Sequence, residues 1–242
     1  MRPTLTMSRA IRRPRALGAA AAALALALAA APAAAQQPRG DVDALIARAA
    51  ATYKAARSAS ARFEQTLTNP VTGTAAVSRG VLHRQATKFN FQFTEPSGDR
   101  LVADGEWLWV YTPSTAPRQV IKLPQSAAGA GALDPGAQFF DAPRARFAIA
   151  DGGTATVSGQ STRVLTLTPS RNANAAFTRA TVWLDPKDGT LRQFETLDGM
   201  GVKRRVRLYD LKVNVPVSAA SFRFTPPSGV RVVDQAALTG AR

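Results

Sequence analysis

Lys88–Pro113 reads KFNFQFTEPSGDRLVADGEWLWVYTP, and this stretch decides the fold. Phe89, Phe91 and Phe93 recur at period two, so they share one face of a strand. Asp104-Gly105 is a tight-turn dipeptide between two such runs. In the second run Trp107, Trp109 and Tyr111 line one face while Leu108 and Val110 line the other. A surface this apolar must be buried against a core, a lid or a ligand, and no catalytic group accompanies it.

Outward from this stretch the same pattern continues. Strand-like runs at Ala61–Thr68, Ala75–Arg84, Lys88–Thr94, Arg100–Ala103, Trp107–Tyr111 and Arg118–Lys122 flank it or overlap it. Others follow at Arg144–Ala150, Ala155–Ser158, Arg163–Thr168, Phe177–Leu184, Leu191–Leu197, Val202–Val213 and Val230–Val233. Turn signals join them, among them Asn69-Pro70-Val71-Thr72-Gly73 and Asp188-Gly189. Runs this short, joined this tightly, give an antiparallel meander rather than βαβ units. Two segments break the pattern. Asp41 is the expected N-cap of a helix running to about Ser58, with Val42, Leu45, Ile46, Ala49 and Tyr53 as its apolar stripe. Pro124–Pro143 is rich in alanine and glycine, and Asp134-Pro135 reads as an N-cap followed by proline at the first helical position. One or two short helices are expected there, with Leu133, Phe139 and Phe140 on the apolar side. The fold class is therefore mainly β: an incomplete antiparallel barrel, a curled sheet with a helical lid over an apolar cavity.

The first 35 residues read differently. Arg2, Arg9, Arg12, Arg13 and Arg15 precede an alanine-leucine run, and Ala33-Ala34-Ala35 supplies the small residues of a cleavage site. This order is that of a secretory signal peptide, residues 1–35, ahead of a single domain at 36–242. Arg12-Arg13 leaves Sec and twin-arginine export both open. The formal charge is +15, and removing those five arginines leaves +10. A basic exported protein meets acidic partners, anionic lipid or a negatively charged docking surface, and nucleic acid is not expected there. There is no cysteine, so packing alone must hold the fold and no lipid-modified cysteine is available.

Little in the sequence points to an active site. His83 is the only histidine, so no histidine pair exists for a metal; it reads as a partly exposed strand residue or a general base, and no Gly-x-Ser-x-Gly elbow appears beside it. Asp104, Asp185, Asp188 and Asp198 occupy turn positions, where carboxylates accept from backbone N–H groups. Gly129-Ala130-Gly131 lacks the context of a phosphate loop and reads as a joint. Neither a catalytic residue, a metal site nor a cofactor is expected. Lys203-Arg204-Arg205-Val206-Arg207 is the densest basic run; in a strand Lys203, Arg205 and Arg207 share a face, which reads as a docking or lipid-headgroup patch or a solvated surface.

Several motifs, taken in order, resemble a known family. Phe63-Glu64-Gln65 is similar to its Phe-x-Gln. Phe89-Asn90-Phe91, with Pro96 beyond, is similar to its Phe-Asn-Trp run. Val102-Ala103-Asp104-Gly105 and Leu108-Trp109-Val110-Tyr111-Thr112-Pro113 resemble its Ser-Asp-Gly and Leu-Trp-x-Tyr-x-Pro segments. Phe222-Arg223-Phe224-Thr225-Pro226-Pro227-Ser228-Gly229-Val230 resembles its Phe-x-Phe-x-Pro-Pro-x-Gly-Val signature. The family is that of LolA, the periplasmic carrier of outer-membrane lipoproteins. The resemblance implies a monomeric periplasmic protein. It would accept triacylated lipoproteins from an inner-membrane ABC transporter complex and pass them to the outer-membrane receptor LolB.

The resemblance also implies a lipid-binding cavity, which here would be formed by Phe63, Leu82, Phe89, Phe91, Trp109, Leu133, Phe139 and Phe140. An arginine latches the family's lid. Counting back from Phe89 puts it on Gln85, with Arg84 assigned the role through a local bulge and Lys88 as the other cation nearby. Two further readings stay open: a periplasmic binder of other amphiphiles, such as free lipid or lipopolysaccharide precursors, and a periplasmic hydrolase using Glu64 or Asp104.

Overall fold

Within each of two runs of strands, every strand folds back antiparallel on the one before it. The computed structural model describes residues 39–126 and 134–235; the expected signal peptide, the expected joint at 129–131 and Leu133 lie outside them. The helix α1 (Arg39–Ala55) comes first, followed by β1 (Ser58–Thr68), β2 (Ala75–Gln85), β3 (Lys88–Glu95), β4 (Ser97–Ala103), β5 (Trp107–Tyr111) and β6 (Gln119–Pro124). Two short helices follow, α2 (Pro135–Phe140) and α3 (Pro143–Arg146). The second run of strands is β7 (Phe147–Val157), β8 (Gln160–Pro169), β9 (Arg179–Leu184), β10 (Leu191–Leu197) and β11 (Lys203–Val213). A 3-10 turn at Ala219–Phe222 and β12 (Arg231–Asp234) end the described chain.

All twelve strands form one curled, unclosed sheet in the order β12-β6-β5-β4-β3-β2-β1-β11-β10-β9-β8-β7. The two meanders, β1–β6 and β7–β11, meet where β1 pairs with β11. Every pair is antiparallel except β12 on β6, which is parallel. The period-two pattern sets the inner face. Phe63, Leu82, Phe89, Phe91, Leu108, Val182, Phe194 and Val206 all point into one core. Phe63 meets Phe91 and Phe93 edge-on, at ring separations of 5.5 and 5.1 Å, the geometry that aromatic quadrupoles favour.

Three local expectations need correction. Asp41 does not cap α1, which starts at Arg39; it lies inside the first turn, where the helix dipole still favours a carboxylate. The runs read as strands at 144–150 and 155–158 are α3 plus one continuous strand, β7. A bulge between Asp151 and Thr154 absorbs the Gly152-Gly153 pair instead of ending the strand. Arg84 needs no bulge to face inward. The β2 register with β1 and β3 is unbroken there, and Arg84 shares the face of Leu82 and Phe89.

Candidate functional site

At the mouth of the concave face, near where α1 runs into β1, α1 and α2 pack on the sheet. The α1 stripe of Val42, Leu45, Ile46 and Ala49 is buried in the core. On one side the β9–β10 turn clamps this helix. Thr52 Oγ1 donates to the Asp188 carbonyl (2.5 Å), and a Cβ on Gly189, whose φ is 74°, would lie 2.5 Å from Ala49 N. Only glycine allows so close an approach in that conformation. On the other side α2 abuts α1 through Gly136, where an added Cβ would fall 1.8 Å from the Tyr53 ring. Arg144 of α3 pairs with Asp43 of α1.

One carboxylate organises the mouth. Asp134 caps α2, its Oδ1 accepting from Gly136 N–H at 2.9 Å. Its Oδ2 accepts from Arg84 Nε at 3.3 Å and from the Tyr53 hydroxyl. Arg84 Nη1 also donates to the Ala56 carbonyl at the end of α1 (2.6 Å), and its guanidinium lies 4.4 Å from the centre of the Tyr53 ring. The ion pair is sheltered, with side-chain exposures of 14% for Arg84 and 9% for Asp134. Burial, reinforced by the Asp134 carboxylate, holds the Tyr53 hydroxyl well above its ordinary range, so it remains a donor. Arg84 on the sheet thus joins α1, through Ala56, to α2, through Asp134. Gln85 is exposed on the opposite side of the strand, as is Lys88 at the start of β3.

Beneath the Arg84–Asp134 pair lies a cleft of about 100 Å³, walled by Leu82, Phe89, Leu191, Leu208 and Phe140 among others. That is smaller than the cavity of about 150 Å³ that admits a benzene ring. This cleft is not the roomy hollow expected from sequence: among the described residues, α2 packs onto the concave face beside it. Phe139 is fully buried and contacts Phe194 and Phe177 at ring separations of 5.2 and 5.9 Å. Phe140 lies beside Tyr53. Of the expected cavity residues, Leu82, Phe89 and Phe140 line the cleft. Phe63, Phe91 and Phe139 belong to the packed layer beneath it.

Trp109 is elsewhere. Leu108 takes the inward position on β5, so alternation turns Trp109 to the outer face. Its indole N–H donates to Asp104 Oδ2 (2.9 Å), and its ring packs on Phe224 at 5.6 Å. Burial alone would raise the Asp104 pKa. The Trp107 and Glu106 N–H groups and the Trp109 indole outweigh it and hold Asp104 below the usual carboxylate range. Glu64 is paired with Arg79 at 3.0 Å. Both carboxylates proposed for hydrolysis are thus committed to structural partners. Among the described residues no cluster of three metal-ligating side chains occurs.

Lys203 and Arg205 are exposed on the outer face, and both reach Glu195, at 3.9 and 2.6 Å. Arg207 is half-buried and bonded to Gln193 and Tyr209. Arg204 turns inward and donates to Gln65 Oε1 at 2.7 Å; burial pushes its pKa down to about 10. The groups that sequence reasoning missed are Asp134 as the acceptor for Arg84 and Tyr53 as a second donor to it. Asp134-Pro135 signalled the cap, but nothing local points to an arginine fifty residues earlier.

Comparison with known proteins bears on this geometry. The family model described as "Outer membrane lipoprotein carrier protein LolA" matches residues 54–131 and 147–225. An outer-membrane lipoprotein carrier protein of Bordetella pertussis is 30% identical over 178 residues, 73% of this chain and 80% of that protein. One from Neisseria meningitidis serogroup B is 29% identical over 147 residues, 60% of this chain and 66% of that protein, so the chain spans just under two thirds of that relative's length. In fold, an uncharacterised conserved protein from Thermus thermophilus is similar, with a TM-score of 0.50 at 14% identity, covering 80% of this chain and 98% of that one.

Proposed function

The chain belongs to the LolA family of outer-membrane lipoprotein carriers, and from that premise we propose that it ferries acylated lipoproteins between the two membranes. In this reading residues 1–35 are a cleaved export signal, residues 36–242 are the carrier domain, and the protein works as a monomer in the periplasm. It takes triacylated cargo released by an inner-membrane ABC transporter complex and yields it to the outer-membrane receptor LolB. It performs no covalent chemistry.

The observation that carries this reading is the state of α2. Two adjacent phenylalanines of a six-residue helix occupy the concave face and hold the place of a ligand. Each acyl methylene left in water costs about 0.8 kcal/mol. A sixteen-carbon tail therefore costs on the order of 10 kcal/mol and three tails cost tens. Cargo of that kind supplies ample free energy to displace Phe139 and Phe140 from the sheet. The latch holds α2 down when no cargo is present, and the apolar interior stays out of water. Closure by the Asp134 contacts and the packing of two phenylalanines is worth less than burying three acyl tails, so cargo can reverse it.

Protein isolated from the cell envelope should carry acylated polypeptide, detectable by mass spectrometry of detergent extracts. Depletion should trap lipoproteins in the inner membrane. Free lipid without polypeptide would favour the general amphiphile binder instead.

A further inference from the structure

The end of the sheet remote from the latch carries an unusual surface. β1 runs from Ser58 beside α1 to Thr68, roughly 30 Å away at strand spacing. Two turns project from that remote end, 69–74 between β1 and β2 and 198–202 between β10 and β11. They touch: a Cβ built on Gly201 lies 3.2 Å from Pro70 Cβ. Val71, at the tip of the first, is 90% exposed, and Met200, at the tip of the second, is 80% exposed. Leu67 and Val77 lie close behind on β1 and β2. These four make up most of the six exposed large apolar side chains among the described residues.

The exposure is built in. Asn69 Oδ1 accepts from the N–H groups of Val71 and Thr72, and Asp198 Oδ1 from those of Met200 and Val202. Both turns are pinned by their own side chains, so neither tip can fold its apolar residue back onto the sheet. Cations stand just behind. Lys203 is in register with Thr68 and Leu197, and Leu197 with Arg179. Lys203, Arg205 and Arg179 are all exposed, with Glu195 as the acid among them. Asp198 is engaged by its turn.

We propose that this end is a membrane-contact surface, and that Val71 and Met200 enter the interface of an anionic bilayer while Lys203, Arg205 and Arg179 meet its lipid phosphates. The depth fits. Each tip lies three positions from the register row of Lys203, at most about 10 Å of chain, which is within the roughly 5–10 Å to which apolar groups enter an interface. Two narrow convex tips suit a deformable layer, and cations behind an apolar wedge are what an anionic lipid surface selects. The surface is remote from the mouth, so contact leaves α2 free to move.

Flotation of the cargo-free protein with vesicles of phosphatidylethanolamine and phosphatidylglycerol tests this, and phosphatidylcholine vesicles serve as the uncharged comparison. Because no cargo is involved, the outcome is independent of whether the protein carries lipoproteins. Binding should favour the anionic vesicles and weaken in high salt. It should drop about tenfold or more in both Val71→Asp/Met200→Asp and Lys203→Glu/Arg205→Glu. Both tips are exposed, so the melting temperature should hold; if the aspartate pair misfolds, Val71→Ser/Met200→Gln replaces it. Equal binding to both vesicle types, or unchanged binding by the tip variants, overturns the proposal. So does an absence of vesicle binding in a protein whose tip variants nevertheless lose transfer in reconstitution, which would make this end a protein contact.

Discussion

Asp134→Ala should open the lid and leave the sheet intact. The substitution removes three contacts at once: the cap on Gly136 N–H, the ion pair with Arg84 and the acceptor for Tyr53. Loss of the cap costs about 1 kcal/mol. Stranding a sheltered arginine costs about 3–5 kcal/mol; the lower end applies because Arg84 keeps the Ala56 carbonyl at 2.6 Å. The cap and the ion pair together, about 4 kcal/mol before any loss at Tyr53, fall on the closed state alone. That shifts the open-to-closed ratio on the order of a thousandfold. Global stability declines only to that of the lid-open molecule. Native-state hydrogen exchange reads both quantities. The Gln138 amide, bonded to the Asp134 carbonyl at 2.8 Å, should lose up to about a thousandfold of its protection, while amides of β9 and β10 keep theirs. Asp134→Asn retains the cap, since asparagine caps as well as aspartate, and should fall between the two. Unchanged protection at α2, or sheet amides that lose protection in step with it, would refute the idea that one carboxylate holds the lid.

Phe139→Ala deletes a fully buried ring and should cost about 3–5 kcal/mol of stability, yet raise affinity for a fluorescent fatty-acyl probe, because it vacates the space that cargo would fill. Parallel loss of melting temperature and probe binding would mark Phe139 as ordinary core. Trp109→Phe should lower stability by about 1–2 kcal/mol through the lost bond to Asp104 and leave probe binding untouched; impaired binding would return Trp109 to the cavity. The folded pKa of Asp104 is depressed, so its contribution to stability is complete above the unfolded value of about 3.9 and is lost as pH falls through the lower folded value. Acid unfolding of Asp104→Asn should accordingly show a shallower pH dependence in that window, and a profile identical to the parent's would count against it.

The alternation of Phe89, Phe91 and Phe93 was enough to place them, because β3 has one apolar and one polar face. The same reasoning failed at β5, where both faces are apolar. Leu108 and Val110 face the core, whereas Trp109 and Tyr111 are covered from outside by Phe224. The Phe222-Arg223-Phe224 motif is plain in the sequence, but its return across the outer face is a long-range contact that no local pattern encodes. The aspartates at 104, 185, 188 and 198 were legible as turn formers because each bonds backbone within four residues. The Arg84–Asp134 pair was not, because it depends on where α2 lands. Composition could also not distinguish an open hollow from one occupied by its own lid, since Phe139 and Phe140 are as apolar as any ligand.

The central claim is that the face now covered by α2 is where hydrocarbon binds. A photo-crosslinking amino acid placed in turn at Leu82, Phe140 and Trp109 tests it directly, with a triacylated lipoprotein as cargo. The first two positions should crosslink to the acylated end of the cargo, and the third should not. Stable cargo binding with crosslinks only from Trp109, or from none of the three, would contradict the account.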